Sequence, residues 1–304
     1  MKTLSLTRIT IAAFAVIFSL VLFSCQKENS FSSTSDSTVT EEEATNLSDE
    51  STQADASFDD VEDVSMIAGE EEGEASVYGR SENTGQRFAP TFEELKLRIG
   101  LSATITVLPN DNTYPKKITL DFGDGCLGAD GKYRKGVILI NLTGPIRHAG
   151  SVMTILLQNF YLNRAHIDGA KTFSNLSENG NIKFTVQVTG GKVTFPNGRG
   201  YSYQSLKYIK QIEGGSTRII RDDVFSIEGR SKTEFNGGLS ITLVTETPLI
   251  KKVTCHWISD GVLKIKINDR VLMLNYGAPH NGDCDNKALL TWDNGSKEKL
   301  ITLP

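Results

Sequence analysis

The sequence predicts an all-β fold: an antiparallel meander forming a large twisted sheet, a sandwich or a half-open barrel, preceded by one short helix. Three observations predict it. Along 181–189, Ile182, Phe184, Val186 and Val188 take one face while Lys183, Thr185, Gln187 and Thr189 take the other, the pattern of a strand with one buried and one wet side. Turn dipeptides recur between such runs, among them Asp168-Gly169, Asn179-Gly180, Gly190-Gly191, Asp260-Gly261 and Asn294-Gly295. No helical pattern alternates with the strands, so the connections are hairpins rather than helical crossovers.

The chain opens with the basic residues Lys2 and Arg8 and an uncharged apolar run over 9–23, which closes on Leu22-Phe23-Ser24-Cys25. A run of this length suits the apolar region of a secretion signal, roughly 7–15 residues, whereas a membrane-spanning helix needs about 20. Residues 1–24 therefore read as a signal peptide. Leu22, Ser24 and Cys25 resemble the lipobox of bacterial lipoproteins, although Phe23 is larger than the residue that slot usually holds. The resemblance implies a lipidated Cys25 carrying a diacylglyceryl thioether and palmitate-type acyl chains. At about 0.8 kcal/mol per buried CH₂, several chains on one residue hold a protein at a membrane where one would not. Gln26 is not the Asp that retains many lipoproteins in the inner membrane, and Lys27-Glu28 resembles the surface-export signals of some Gram-negative lipoproteins. The expected location is the cell envelope, at the outer membrane.

The formal charge of −5 hides a division. Residues 28–79 hold 16 Asp or Glu and no Lys or Arg, whereas from Arg80 onward there are 29 basic and 21 acidic residues. Low hydrophobicity with charge of one sign cannot offset the entropy of ordering, so 25–88 reads as a disordered acidic stalk and 89–304 as the β-rich domain. A flexible stalk of that size reaches about 45 Å.

Within the domain, Thr91 and Glu94 have capping-box spacing, Phe92, Leu95 and Ile99 share a helical face, and Gly100 suits the end of a two-turn helix. Strands follow. Leu239, Ile241 and Leu243 alternate with polar residues, as do Leu263, Ile265 and Ile267 with Lys264 and Lys266. The runs 137–140 and 152–162 are apolar on both faces and read as central strands covered on both sides. Beyond Cys25, an exported domain retains Cys126, Cys255 and Cys284, an odd number that leaves one thiol over. Cys255 and Cys284 are nearest in the chain and are the favoured disulfide.

Leu120-Asp121-Phe122-Gly123-Asp124-Gly125-Cys126, the segment 248–257 ending in Cys255-His256-Trp257, and Asp283-Cys284-Asp285-Asn286-Lys287 resemble a family of exported Gram-negative lipoproteins with a C-terminal β-rich domain of unassigned role. The resemblance covers roughly 104–303. It implies a shared architecture and envelope location and brings no catalytic residue.

Residue by residue, no chemistry stands out. Phe122-Gly123-Asp124-Gly125 is similar to the corresponding turn of PKD-type immunoglobulin-like modules, but the Trp that precedes it there is missing, and a glycine turn accounts for it. Asn281, Asp283 and Asp285 have the spacing that begins a calcium loop, yet Asn286 replaces its glycine and Trp292 its bidentate Glu. His148, His166, His256 and His280 lack zinc-ligand spacing. The motifs of metalloproteases, α/β-hydrolases and P-loop proteins do not occur. The expectation is a non-enzymatic envelope protein with no catalytic residue, metal or cofactor and no nucleic-acid partner. Its membrane contact is the lipid anchor, and its role is structural or in binding a protein or polysaccharide. The alternatives are a carrier of lipid or small apolar ligands, whose mark would be an enclosed apolar cavity, and a glycan-binding or glycan-active surface protein. The mark of the last would be carboxylates converging in a cleft lined by Trp257, Trp292 or Tyr201.

Overall fold

Hairpin follows hairpin without a crossover, so the strands pair almost in chain order into one antiparallel sheet. The structure, a computed structural model, describes residues 57–73 and 91–303 except 180, 197, 216–221, 237, 256 and 269. All of them fall in the compact unit Val39–Pro304. Helix α1 covers 57–73 and helix α2 covers Glu93–Ile99. The strands are β1 (Thr104–Leu108), β2 (Lys116–Asp121), β3 (Cys126–Leu127), β4 (Tyr133–Leu142), β5 (Val152–Leu162), β6 (Ala165–Asn175) and β7 (Lys183–Thr194). They continue with β8 (Gly200–Glu213), β9 (Val224–Phe235), β10 (Ser240–Lys252), β11 (Asp260–Ile267), β12 (Arg270–Asn275), β13 (Lys287–Trp292) and β14 (Lys297–Thr302). The sheet order is β1-β2-β4-β5 and onward in sequence to β14, with β3 pairing only β4. The all-β expectation is met as one large open sheet.

One row of directly opposed residues crosses it. Ile118 faces Ile140, which faces Ile155, then Lys171, Val188, Ser205, Ser231, Leu243, Ile265 and Leu272 in turn. Opposed residues point the same way, so one face of the sheet is buried from β2 to β12, while β14 at the edge is largely exposed. Two apolar clusters lie on this face. The first joins β1–β8 to both helices; the second is formed by β10–β13 around Ile241, Ile265 and Leu272. Between them the row turns polar at the buried Ser205 and Ser231, and Thr233, buried in the next row, adds a third hydroxyl.

Three sequence expectations change here. Residues 57–73, read as part of the disordered stalk, form a packed helix: Phe58, Val61, Val64 and Ala68 recur at helical spacing and are fully buried against the sheet. Charge alone argued for disorder, but the carboxylates of this segment find cations on the sheet. The remainder of the 25–88 stalk lies outside the described residues. Next, Thr91 forms no capping box. Phe92 occupies the N-cap in a left-handed conformation without a side-chain cap, and the Leu95 N–H instead donates to Glu71 Oε1 of α1 at 3.4 Å. Finally, β4 and β5 bury one face only: Val137 and Leu139 are half-buried on the other, and Leu156 is 38% exposed.

Bulges bend the sheet. The ladders shift register between Lys135 and Val137, between Leu156 and Phe160, between Asp168 and Ala170, and between Val188 and Gly191, a seam running across β4–β8. At the seam's start Gly136 has φ 87°, and a Cβ there would lie 2.0 Å from the Asn159 carbonyl oxygen. Gly136→Ala should therefore lower stability by about 1–3 kcal/mol from backbone strain alone, read as a fall in urea midpoint at unchanged m-value.

Candidate functional site

Among the described residues, the buried charges gather in the strip of sheet beneath α1. Arg134, at the start of β4 and 0% exposed, sits between two carboxylates. Its Nε and Nη2 donate to Asp60 of α1 at 3.1 and 2.7 Å, and Nη1 and Nη2 donate to Asp130 at 3.2 and 2.6 Å. Lys132 Nζ adds a second cation to Asp60 at 2.7 Å. At the other end of α1, Lys116 and Glu72 pair at 3.2 Å with both side chains wholly buried, and Lys116 Nζ also donates to the carbonyls of Pro109 and Asp111. Midway, Lys171, 3% exposed, donates to the Phe58 carbonyl at 2.9 Å and pairs with Glu62 at 2.5 Å. Asp59 bridges Lys171 and Lys207 at 3.4 and 3.3 Å. Arg98 with Asp63 and Arg147 with Glu70 complete the set nearer solvent.

The local sequence explains the helix. Asp59, Asp60 and Glu62 in its first turn favour the positive end of the helix dipole. Glu70, Glu71 and Glu72 oppose the negative end, and each is matched by a donor: Arg147, the Leu95 N–H and Lys116. The apolar stripe settles on the sheet where there is room for it. Phe58 stacks on Tyr203 at 5.0 Å and 16°, directly over Gly191, where a Cβ would come within 2.9 Å of the Phe58 ring.

Electrostatics follow burial and pairing. Burial pushes the Asp59 carboxyl up, but the Lys207 and Lys171 ammoniums outweigh it and leave the group below its ordinary value. Asp130 is likewise raised by burial and drawn lower still by its hydrogen bonds from Arg134 and the Lys132 N–H. Burial weakens the Arg134 guanidinium, and Asp130 and Asp60 more than restore it, so its pKa lies above the usual arginine value. On β10, burial lowers the Lys251 ammonium, and the Asp63 carboxylate acts in the opposite sense without offsetting it. Because Asp59 and Asp130 titrate lower in the folded protein, their stabilisation is complete above the unfolded carboxyl value and is lost as pH falls through the folded one. Of the two, Asp59 is the one on α1, and its protonation removes the contacts to Lys171 and Lys207, so loosening of the start of α1 is expected to begin below about pH 4, read as a loss of helical circular dichroism that precedes loss of the sheet.

The other residues marked in the sequence are spread over the molecule. Cys25 lies outside the described residues. Cys255 and Cys284 are joined as a disulfide, with Cα atoms 5.5 Å apart, and Cys126 is a buried free thiol against the Ser102 hydroxyl. Phe122 is buried in the core and Gly123 takes φ 53° in a turn whose N–H donates to Asp121. In the 281–285 loop, Asp285 accepts from the Lys287 N–H and contacts the His280 ring, whose hydrogen bond draws its carboxyl lower. No group of three or more His, Cys, Asp or Glu suited to a metal ion occurs among the described residues. His166 packs on Tyr161 at 4.7 Å beside Asp168. Of the aromatic residues considered for a glycan cleft, Tyr201 is buried in the first cluster between Phe195 and Phe235, Trp292 packs on the second, and Trp257 is half-buried in the loop after β10. His256 lies outside the described residues.

Sequence reasoning missed the site's principal residues, Asp60, Glu62 and Glu72 with Lys116, Arg134 and Lys171. The signal for half of it was present: Phe58, Val61, Val64, Ala68 and Glu72 recur every three or four residues. The chain matches no family model, no curated protein and no solved structure.

Proposed function

We propose that this chain is a lipid-anchored, non-enzymatic protein of the Gram-negative cell envelope, held at the outer membrane through Cys25, and that its β-rich domain serves in binding. The anchor is supported by the basic start, the short apolar run and the lipobox-like Leu22-Phe23-Ser24-Cys25. The binding role is supported by one observation above all: a buried sheet face carries cations among its aliphatic, aromatic and hydroxyl side chains, and an acidic helix lies on them. Proteins seldom bury Lys and Arg for stability alone, since an apolar replacement of like volume is often no worse. The polarity of this face is better suited to recognition.

The alternative is a carrier, for which the second apolar cluster, formed without a residue of either helix, would be the seat of the ligand. Two measurements separate these ideas. Intact mass of membrane-extracted protein should show acyl chains on the wild type and none on Cys25→Ser, which should move to the aqueous phase; an unmodified wild type would overturn the anchor. Organic extraction of natively purified protein should yield no stoichiometric lipid if the role is protein binding, and one lipid per chain if it is a carrier.

A further inference from the structure

We propose that the face of the sheet turned away from α1 is, across β7–β11, a binding surface for a polysaccharide that carries carboxylates. The inference gives the binding role a ligand class, and because it uses the opposite face it depends neither on the strip beneath α1 nor on Cys25. Side chains alternate along each strand, so with Val186, Ser205, Ser231, Leu243 and Ile265 buried, their neighbours point outward. On this outer side the cations Lys183, Lys192, Lys210, Arg230, Lys232, Lys264 and Lys266 outnumber the carboxylates Glu228, Glu234 and Glu246. Two of those carboxylates are taken up by Lys232 and Lys264. Lys183, Lys210, Arg230 and Lys266, all exposed, have no ion pair or side-chain hydrogen bond among the described residues.

Lys183 and Lys210 stand directly opposite each other in the β7–β8 ladder. The Cβ atoms of such a pair lie about 4.5–5.5 Å apart, and like charges there oppose sheet formation. Lys192, by contrast, faces Asp168. An anion laid over Lys183 and Lys210 relieves the repulsion. Lys266 shares a row with Gln204, six residues from Lys210, and four strand spacings separate β7 from β11. The free cations therefore spread over about 20 Å in each direction, the reach of a polymer rather than of one small anion. A peptide strand would need an unpaired edge, and β7–β11 are each paired on both sides. A bilayer would need exposed aliphatic side chains to insert, and those among the free cations, Leu206 and Val244, are half-buried. Nucleic acid would need a row of rings for its bases, and this side of β7–β11 offers one, Tyr208, 54% exposed. A single ring beside the amides of Gln187 and Gln204 and the hydroxyl of Thr185 suits a sugar chain.

The test is binding of polygalacturonate to the full-length protein in nonionic detergent. Affinity should fall as salt rises, and neutral dextran of the same length should not bind. Lys183→Glu turns the opposed pair into an attractive one, so it should raise the urea midpoint of the free protein while weakening the polymer about tenfold. The gain in stability separates lost binding from lost folding. Arg230→Gln with Lys266→Gln should weaken the polymer similarly, whereas Lys297→Gln with Lys299→Gln, on the other side of β14, should leave it unchanged. Wild-type protein that ignores polygalacturonate, or Lys183→Glu protein that binds it as wild type does, overturns the proposal. Equal or tighter binding of double-stranded DNA of matched charge overturns the assignment to polysaccharide. Binding by chains whose Cys25 proves unmodified would leave this inference standing and remove only the anchor.

Discussion

Replacing Arg134 by methionine is expected to destabilise the protein by about 3–5 kcal/mol, because Asp60 would remain buried with its main counterion gone. The guanidinium grips Asp60 through two nitrogens and Asp130 through the other edge of the same fork, and all of Arg134 and Asp60 is shielded from solvent. Lys132, more than a third exposed, cannot assume that bidentate geometry. The double replacement Arg134→Met with Asp60→Leu should recover most of the loss, since an apolar pair of similar volume pays no desolvation penalty. Urea midpoints of the two singles and the double, compared as a cycle, measure the coupling; a double variant as unstable as Arg134→Met would place the loss outside the Asp60 pair, at Asp130 or at the methionine itself.

Phe58→Ala should cost about 3–5 kcal/mol, the usual loss for truncating a buried phenylalanine. The ring stacks on Tyr203 and fills the space above Gly191, so neighbouring side chains have little freedom to close the void. The prediction separates the packed helix from an acidic tail, in which an alanine at this position would leave stability unchanged. Hydrogen exchange gives the same contrast: the amides of Val61, Val64 and Ala68 should be protected in the wild type and lose protection in the variant before those of β4 and β5 do.

The strands were legible because each depends on a local pattern. Ile182 through Thr189 alternates with a period of two, and the sheet buries the side that pattern selects. The runs 137–140 and 152–162 misled because a strand rich in Val, Ile and Leu reads as doubly covered even when its second face is only half-shielded, as Leu139 and Leu156 are. For α1 the failure has another origin. Asp60 meets Arg134 at a separation of 74 residues and Phe58 meets Lys171 at 113. A count of charge within the acidic segment finds sixteen negatives and no positives, whereas in three dimensions the positives are supplied by strands that a window of sequence never includes. The capping reading of Thr91 failed similarly, since the donor at Leu95 is satisfied by Glu71 from outside its own helix.

Chain order places residues 57–73 ahead of every strand, and the ion pairs of this segment are its grip on the sheet. A pulling force applied anywhere upstream must therefore pass through those electrostatic contacts before it loads a single rung of the β ladder. Tension from that side is therefore borne first by one helix and its ion pairs, and the strand ladder is loaded only after them.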